Sequence, residues 1–292
     1  MRNLARVVVA IVSVASLSCA HSTTAPAAAP VAKSSEIRYG QEGLQGVVWM
    51  QTAVEYQASA RQAYVAAQRA LDLALADPAW SAVSELSSAA AGERRPAIIL
   101  DLDETCLDNS AYQARLTELA AAHTEEAFEE HIRAGNITAI PGTVEFLRYA
   151  ESRGVAIFYV TNQRKHIEEA SRANLRRLGL PLSESEDTLL TLGEMPDWVS
   201  DKSSRRAFVA QKYRVLLLVG DDFNDFVSAN GKSLAERKAL FERYADWFGT
   251  KWFILPNPTY GSWERAALAG SGSSAEDRFN ARMRAIQSTA GD

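Results

Sequence analysis

The sequence is poor in the residues that hold small secreted domains and zinc sites together. It contains only two cysteines, Cys19 and Cys106, which excludes a disulfide framework as the source of stability. Its four histidines fall in a tether or in segments expected to be helical, so we expect no zinc site. They are His21, His123, His131 and His166.

Long apolar runs and a strong excess of charge are also lacking. No run reaches the roughly 20 residues that a membrane-spanning helix needs. The 31 basic and 36 acidic residues give a formal net charge of -5, and this mild acidity argues against nucleic acid as a partner. What the chain does have is length, because 292 residues with 47% apolar content allow one large domain or two small ones with a sizeable core.

Residues 1–18 are typical of an export signal. Arg2 and Arg6 precede an apolar run from Val7 to Leu17 that is too short to cross a bilayer. The run ends at a Ser-Leu-Ser-Cys sequence that resembles a bacterial lipoprotein processing site, which would make Cys19 the lipidated first residue. The alternative is an ordinary secretory signal that is cut later, in the Ala-rich stretch that follows.

Residues 19–42 are dominated by small and polar side chains, as expected of a lipoprotein tether. The sequence therefore predicts a protein of the bacterial cell envelope, either an outer-membrane lipoprotein held by its lipid anchor or a periplasmic protein.

Residues 43–95 are predicted to form an N-terminal helical segment. Apolar residues recur at helical spacing from Leu44 to Ala76, which predicts one long amphipathic helix. Its aromatic stripe, Trp49, Tyr56 and Tyr64, is interpreted as core or interface, with a ligand site as the alternative. If this stripe is exposed in the monomer, we expect a homodimer.

Residues 96–265 alternate short apolar strands with helical patterns. This alternation predicts an α/β fold, a Rossmann-like parallel sheet with helices on both faces. The small insertion at 107–141 has one helix pattern, around Thr124–Ala134, and is too short for a large lid, so we expect an open site. Residues 266–292 are predicted to be a loose tail with a short helix. The expected strands are Ala97–Asp103, Val155–Asn162, a short one near Leu189, Val215–Asp221 and Trp252–Leu255.

Polar clusters follow the apolar strands, where ligands of parallel sheets bind. Strand alternation places Asp101 and Asp103 on one side of the chain, and two buried carboxylates this close require a cation or a shared proton. Thr161 and Asn162 end the next strand and offer a hydroxyl and backbone N–H groups. Lys202 begins a helix, where a lysine opposes the dipole and is expected to face an anion.

A second acidic cluster, Asp221-Asp222-Phe223-Asn224-Asp225, follows Gly220 at the end of another predicted strand. The order acid pair, Thr, Lys, acid pair resembles the four motifs of haloacid dehalogenase superfamily phosphohydrolases. The segments DLDETCLDNSAY, AIPGTVEFLRYA, VGDDFNDF and LPNPTYGSWE resemble more closely subfamily IIIB, the class C acid phosphatases and bacterial lipoprotein 5'-nucleotidases. The resemblance covers roughly Gly43 to Glu264.

The resemblance implies a phosphatase mechanism. Asp101 would be the nucleophile, and Asp103 would protonate the leaving group and then activate water. Thr161, the Asn162 backbone amide and Lys202 would hold the phosphoryl oxygens.

The same resemblance implies Mg²⁺, held by the side chains of Asp101 and Asp221 and the backbone carbonyl of Asp103. Asp225 would orient metal-bound water. Cys106, beside the nucleophile, is interpreted as a small packed residue.

Tyr112 and Tyr260 are expected to flank the mouth of the site, since aromatic side chains in this family sandwich the base of a nucleotide. The alternative is that both tyrosines only pack against the insertion and the final loop. The expected function is Mg²⁺-dependent hydrolysis of phosphomonoesters, with nucleoside 5'-monophosphates or nicotinamide mononucleotide as the expected substrates. A non-catalytic metal- or nucleotide-binding surface lipoprotein and a phosphotransferase remain as alternatives.

Overall fold

The structure is a computed structural model that describes residues 41–84 and 94–286. These residues belong to one compact unit, Arg38–Asp292. Residues 1–40, 85–93 and 287–292 lie outside the described residues, and with them the predicted signal, Cys19 and nearly all of the tether. Within the described part of the chain, no helix has the length and apolar character needed to cross a bilayer.

The chain alternates helices and strands in the way the sequence predicts, with small shifts at most ends. The helices are α1 Leu44–Thr52, α2 Val54–Ala76, α3 Ser110–Leu119, α4 Glu125–Ala134, α5 Thr143–Ser152, α6 Glu168–Leu178, α7 Ser203–Lys212, α8 Leu234–Tyr244, α9 Ser262–Ala267 and α10 Ala275–Ala285. The strands are β1 Arg95–Leu100, β2 Leu107–Asp108, β3 Thr138–Ala139, β4 Ala156–Arg164, β5 Leu189–Leu192, β6 Tyr213–Gly220 and β7 Trp252–Ile254.

Five of these strands form a single parallel sheet in the order β5-β4-β1-β6-β7. The central strands are apolar on both faces, and Ala97 to Leu100 of β1 are all buried. Ile98 and Leu100 pack into one core cluster with α2 and α5, while Ala97 and Ile99 pack into another with α7. The predicted α/β fold with helices on both faces is confirmed.

The long N-terminal helix is broken, contrary to the prediction. Ala53 is extended, with φ -82° and ψ 126°, and separates α1 from α2. The break lets α1 pack against α3 while α2 covers α5 and the sheet. At Gly46 of α1, an added Cβ would lie 2.8 Å from the carbonyl oxygen of Pro258, so glycine permits this close approach. Tertiary packing thus overrides a sequence with no helix breaker.

The aromatic stripe of this segment is part of the core. Tyr56 and Tyr64 are each 2% exposed, and Trp49 packs edge-on against Tyr56 at a centroid distance of 5.5 Å. We expected a homodimer only if this stripe were exposed in the monomer. That condition is not met.

The insertion after β1 contains more structure than predicted. Besides α4 it includes α3 and a small antiparallel pair, β2 with β3. The sequence of α3 shows little helical periodicity because its buried residues are Ser110, Tyr112 and Thr117, of which only the tyrosine is a large apolar side chain. The tail forms α10, close to the predicted final helix.

Candidate active site

The polar clusters meet in a cavity of about 380 Å³ at the carboxyl end of the sheet. Neighbouring parallel strands β4, β1 and β6 deliver their ends to the same edge, and the loop before α7 joins them. The cavity is lined by Asp101, Asp103, Gln113, His123, Glu125, Phe128, Asn162, Gln163, Ser200, Lys202, Asp221, Asp222, Asn224, Asp225, Asn230, Tyr260, Gly261, Glu264 and Arg265.

The first motif leaves the strand earlier than predicted. β1 ends at Leu100, and the backbone then turns so that the N–H groups of Cys106 and Leu107 both donate to the carbonyl of Leu102. Leu102 is fully buried in the core, while Asp101 and Asp103 line the cavity. The two aspartates share a side as expected, although a turn rather than an extended strand puts them there.

Asp103 is gripped by three side-chain donors. The amide nitrogens of Asn109 and Gln163 donate to its Oδ1 at 2.9 and 2.8 Å, and the hydroxyl of Thr161 lies 3.4 Å from Oδ2. Burial raises the pKa of Asp103, and the hydrogen bonds from Gln163 and Asn109 oppose that rise. Thr161 is fully buried and faces Asp103, whereas Asn162 lines the cavity.

Lys202 bridges the two acidic motifs. Its Nζ lies 2.5 Å from Asp101 Oδ1 and 2.7 Å from Asp225 Oδ1, with only 6% of its side chain exposed. Burial opposes its positive charge, but the two carboxylates outweigh burial and raise the pKa of Lys202. Burial also raises the pKa of Asp101, with Lys202 acting in the opposite direction. The site therefore holds a permanent cation beside the expected nucleophile.

Asp221 and Asp225 form the acidic cluster that follows β6. Asp221 accepts hydrogen bonds from Thr105 at 3.0 Å and from Asn257 at 2.9 Å. Asp225 accepts from the backbone N–H of Asp222 and from Lys202. Burial raises the pKa of Asp225 to about 7 and that of Asp221 well above its usual range.

Only glycine fits between β6 and Asp225. A Cβ on Gly220 would lie 2.3 Å from Asp225 Oδ2 and 2.6 Å from its Cγ, which no side chain permits. The glycine of the fourth motif thus makes room for the acidic cluster rather than only freeing a turn.

Asp101, Asp221 and Asp225 each offer one carboxylate oxygen, and these oxygens lie within 4.8 Å of one another. Three hard, anionic oxygen donors at this spacing fit a divalent cation of the Mg²⁺ class. The raised pKa values give a second indication, because the site as it stands carries more buried negative charge than Lys202 offsets. The residues present therefore fit the metal that the sequence predicts.

Two buried arginines that the sequence analysis missed connect the motifs. Arg205 donates to the backbone carbonyls of Thr161 and Val199 and to Asn162 Oδ1 at 2.7 Å. Arg206 donates to the carbonyls of Asn224 at 3.0 Å and Asp225 at 3.1 Å. Since both project from the first turn of α7, this helix ties the second, third and fourth motifs together. Their position three and four residues after Lys202 was the available signal.

The two tyrosines expected at the mouth have different positions. Tyr260 lines the cavity, and its hydroxyl donates to the buried carboxyl of Glu104. Tyr112 is 4% exposed and packs beneath His123, with its hydroxyl 3.0 Å from His123 Nδ1. The expectation that Tyr112 flanks the mouth is wrong, because α3 turns its ring into the insertion.

His123 and Phe128 line the cavity in place of Tyr112. His123 lies in the loop between α3 and α4, not in a helix as predicted. Cys106 is fully buried, its Sγ lies 3.2 Å from the carbonyl oxygen of Asp101, and burial raises the pKa of its thiol well above the usual range. It is therefore a packed thiol.

Comparison with known proteins decides the family. The model of the HAD superfamily, subfamily IIIB (Acid phosphatase) matches residues 6–263. This chain belongs to that family. Membership places it among phosphoric monoester hydrolases of the acid phosphatase type.

Solved structures agree with the assignment. The class C acid phosphatase from Bacillus anthracis shares 32% identity and a TM-score of 0.75 with this subfamily IIIB chain, covering 86% of it and 99% of the Bacillus chain. The same enzyme with tungstate bound gives 32% and 0.74. The stem 28 kDa glycoprotein of Glycine max is 23% identical over 170 residues, 56% of this chain, and the match spans 58% of the glycoprotein.

Proposed function

We propose that this chain is a Mg²⁺-dependent acid phosphatase that hydrolyses phosphomonoesters through an aspartyl-phosphate on Asp101. The observation that carries the proposal is the meeting of Asp101, Asp103 and Lys202 with a cluster of three carboxylates in one cavity. Phosphoryl transfer needs an in-line nucleophile, a proton for the leaving group and neutralisation of the phosphoryl charge. These residue types supply all three.

The metal would be held by the carboxylates of Asp101 and Asp221 with the backbone carbonyl of Asp103, and Asp225 would orient its water. When bound, it supplies positive charge that neutralises the phosphoryl oxygens and aligns them for attack.

The chain's own groups carry the two steps. An oxygen of Asp101 forms a bond to phosphorus while the bond to the leaving oxygen breaks, and Asp103 gives that oxygen its proton. In the second step water attacks the phosphorus, Asp103 takes the proton of the water, and the carboxylate of Asp101 leaves. Lys202, 2.5 Å from Asp101 Oδ1, offsets negative charge in both steps.

Nucleoside 5'-monophosphates or nicotinamide mononucleotide are the proposed substrates. The ring of Tyr260 lines one side of the cavity, and His123 and Phe128 also line it. Flat aromatic side chains stack on bases irrespective of base identity, which suits a site for several nucleotides.

We also propose that the protein is anchored in the bacterial envelope through lipid on Cys19. The support is the sequence of the first 19 residues alone. Replacing Cys19 by Ser should move the protein from the membrane fraction to the soluble fraction after cell breakage, and continued sedimentation with membranes would contradict the anchor.

A panel of phosphomonoesters, assayed with excess chelator and then with added Mg²⁺, tests the function. We expect turnover only with the metal and higher kcat/KM for nucleotides than for glycerol phosphate. Full activity in excess chelator would refute the metal-dependent mechanism, and no turnover of any ester under either condition would refute the phosphatase proposal.

A further inference from the structure

We propose that Asn109 and Gln163 are positioning residues that decide which oxygen of Asp103 carries the transferred proton. The inference rests on the proposed function, in which Asp103 is the acid of the first step. It concerns the side chains that orient this acid, which lie on β4 and at the start of α3.

Both amide groups grip the same oxygen. Asn109 Nδ2 and Gln163 Nε2 donate to Asp103 Oδ1 at 2.9 and 2.8 Å. An amide NH₂ group can only donate, so Oδ1 is held as an acceptor and has no place for a proton of its own. The proton of the neutral carboxyl must then lie on Oδ2, whose neighbour, the Thr161 hydroxyl, is at 3.4 Å.

The two amides are themselves fixed. The hydroxyl of Ser171, on α6, donates to Gln163 Oε1, which turns the NH₂ group of Gln163 toward Asp103. On the other side, Asn109 Oδ1 lies 3.2 Å from His131 Nε2 of α4. Asn109 and Ser171 are fully buried and Gln163 is 2% exposed, so the groups that hold the amides in place are shielded from solvent.

The hydrogen bonds from Asn109 and Gln163 to Asp103 should affect the rate most for esters with a basic leaving group. A poorly placed acid slows the departure of a basic alkoxide or phenolate, whereas a stabilised phenolate such as p-nitrophenolate leaves without much help. A series of ring-substituted phenyl phosphates varies this basicity while leaving the phosphate and ring unchanged. The parameter to measure is kcat/KM, which covers the steps up to the first transfer and excludes the shared hydrolysis of the aspartyl-phosphate.

The test compares three variants with Mg²⁺ present. Gln163→Met keeps the length of the side chain and removes the donor, Asn109→Ala removes the other donor, and Ser171→Ala loosens Gln163 from outside the cavity. For the first two we expect kcat/KM to fall ~10 to 100-fold on phenyl phosphate, a part of what general acid catalysis contributes, and less than about threefold on p-nitrophenyl phosphate. Ser171→Ala should also lower kcat/KM more on phenyl phosphate than on p-nitrophenyl phosphate, with a loss of about two- to fivefold on phenyl phosphate.

Gln113→Met is the matched control, because Gln113 also lines the cavity but has no hydrogen bond to Asp103. Its effect should be the same on both esters. Equal losses on both esters for Gln163→Met and Ser171→Ala would overturn the inference, and Ser171→Ala keeps the test decisive if thermal unfolding shows that another variant does not fold. Wild-type protein inactive on both esters would instead refute the proposed function.

Discussion

The floor and the walls of the cavity are built on different principles. We define the floor as Asp101, Asp103, Lys202, Asp221 and Asp225. Each of its side chains has fixed partners, and Lys202, Asp225 and Asp101 expose only 6%, 5% and 10% of their side chains. The walls come from the insertion, from the loop after β7 and from α9, and their side chains are half-buried or exposed. They are His123, Glu125, Phe128, Tyr260, Glu264 and Arg265.

The difference separates chemistry from selection. The floor is formed where parallel strands end, and its charges are costly to bury unless each has a partner, so its geometry is rigid. The walls lie on connections outside the five-stranded sheet, and their side chains are more exposed than those of the floor. We therefore expect changes in the floor to lower kcat for phosphomonoesters of every class, and changes in the walls to discriminate between esters with and without an aromatic base.

The largest effect should come from the acid pair of the floor. Asp101→Asn removes the proposed nucleophile and Asp103→Asn the proton donor, and both amides keep the shape of the carboxylates. We expect each to reduce kcat by at least ~100 to 10,000-fold on every ester, measured with Mg²⁺ present. Thermal unfolding provides the folding control, and a loss below tenfold for either variant would remove its residue from the proposed mechanism.

The second-largest effect on activity should come from weakened metal binding in the floor. Asp221→Ala should weaken Mg²⁺ affinity and lower the rate at limiting Mg²⁺ by more than ~10 to 100-fold, since even partners of metal ligands contribute that much. Mg²⁺ binding measured by calorimetry gives a readout independent of turnover. Asp246→Ala, which removes an exposed acid in the connection between α8 and β7, is the control and should bind Mg²⁺ as wild type does.

Tyr260 tests the wall. Tyr260→Ala should reduce kcat/KM for nucleoside 5'-monophosphates by ~5 to 150-fold, the loss of stacking on one ring, and change glycerol phosphate little. Tyr260→Phe keeps the ring and removes only the hydroxyl that donates to Glu104, so its nucleotide activity should stay close to wild type. If Tyr260→Ala lowers kcat/KM equally for nucleotides and for glycerol phosphate, Tyr260 is structural and the distinction between floor and wall fails at this residue.

The smallest effect concerns stability and pH. The pKa of Asp225 rises on folding from its ordinary value, near 4, to about 7. A raised carboxyl pKa adds stability at pH below the unfolded value and loses it as pH rises through the folded value. In metal-free protein, Asp225→Asn should therefore gain stability relative to wild type between about pH 4 and 7.

Urea unfolding of both proteins at pH 5 and pH 8 in excess chelator measures this difference. Because metal binding favours the ionised carboxylates, added Mg²⁺ should stabilise the wild type most at pH 8. An unchanged difference between the two proteins across this pH range would show that Asp225 does not carry the shift.

The floor was largely predictable and the walls were not. Asp101, Asp103, Lys202, Asp221 and Asp225 all line the cavity, because each follows an apolar strand or begins a helix at the same edge of the sheet. Tyr112 was misplaced, and His123 and Phe128 were missed as lining residues, because the path of the insertion depends on how α3 and α4 pack. Local pattern contains little information on that packing.

The sequence by itself determined the five strands of the main sheet, the polar residues that follow them and the family, since apolar runs and short motifs depend only on neighbouring residues. Tertiary structure decided the rest. It broke the first helix at Ala53. It placed Arg205 and Arg206 where they donate hydrogen bonds to residues of the second and fourth motifs. It also brought Asn109 and Gln163 to one oxygen of Asp103. The physical reason is that a buried charge must find partners wherever the fold offers them, and those partners lie up to 116 residues away along the chain.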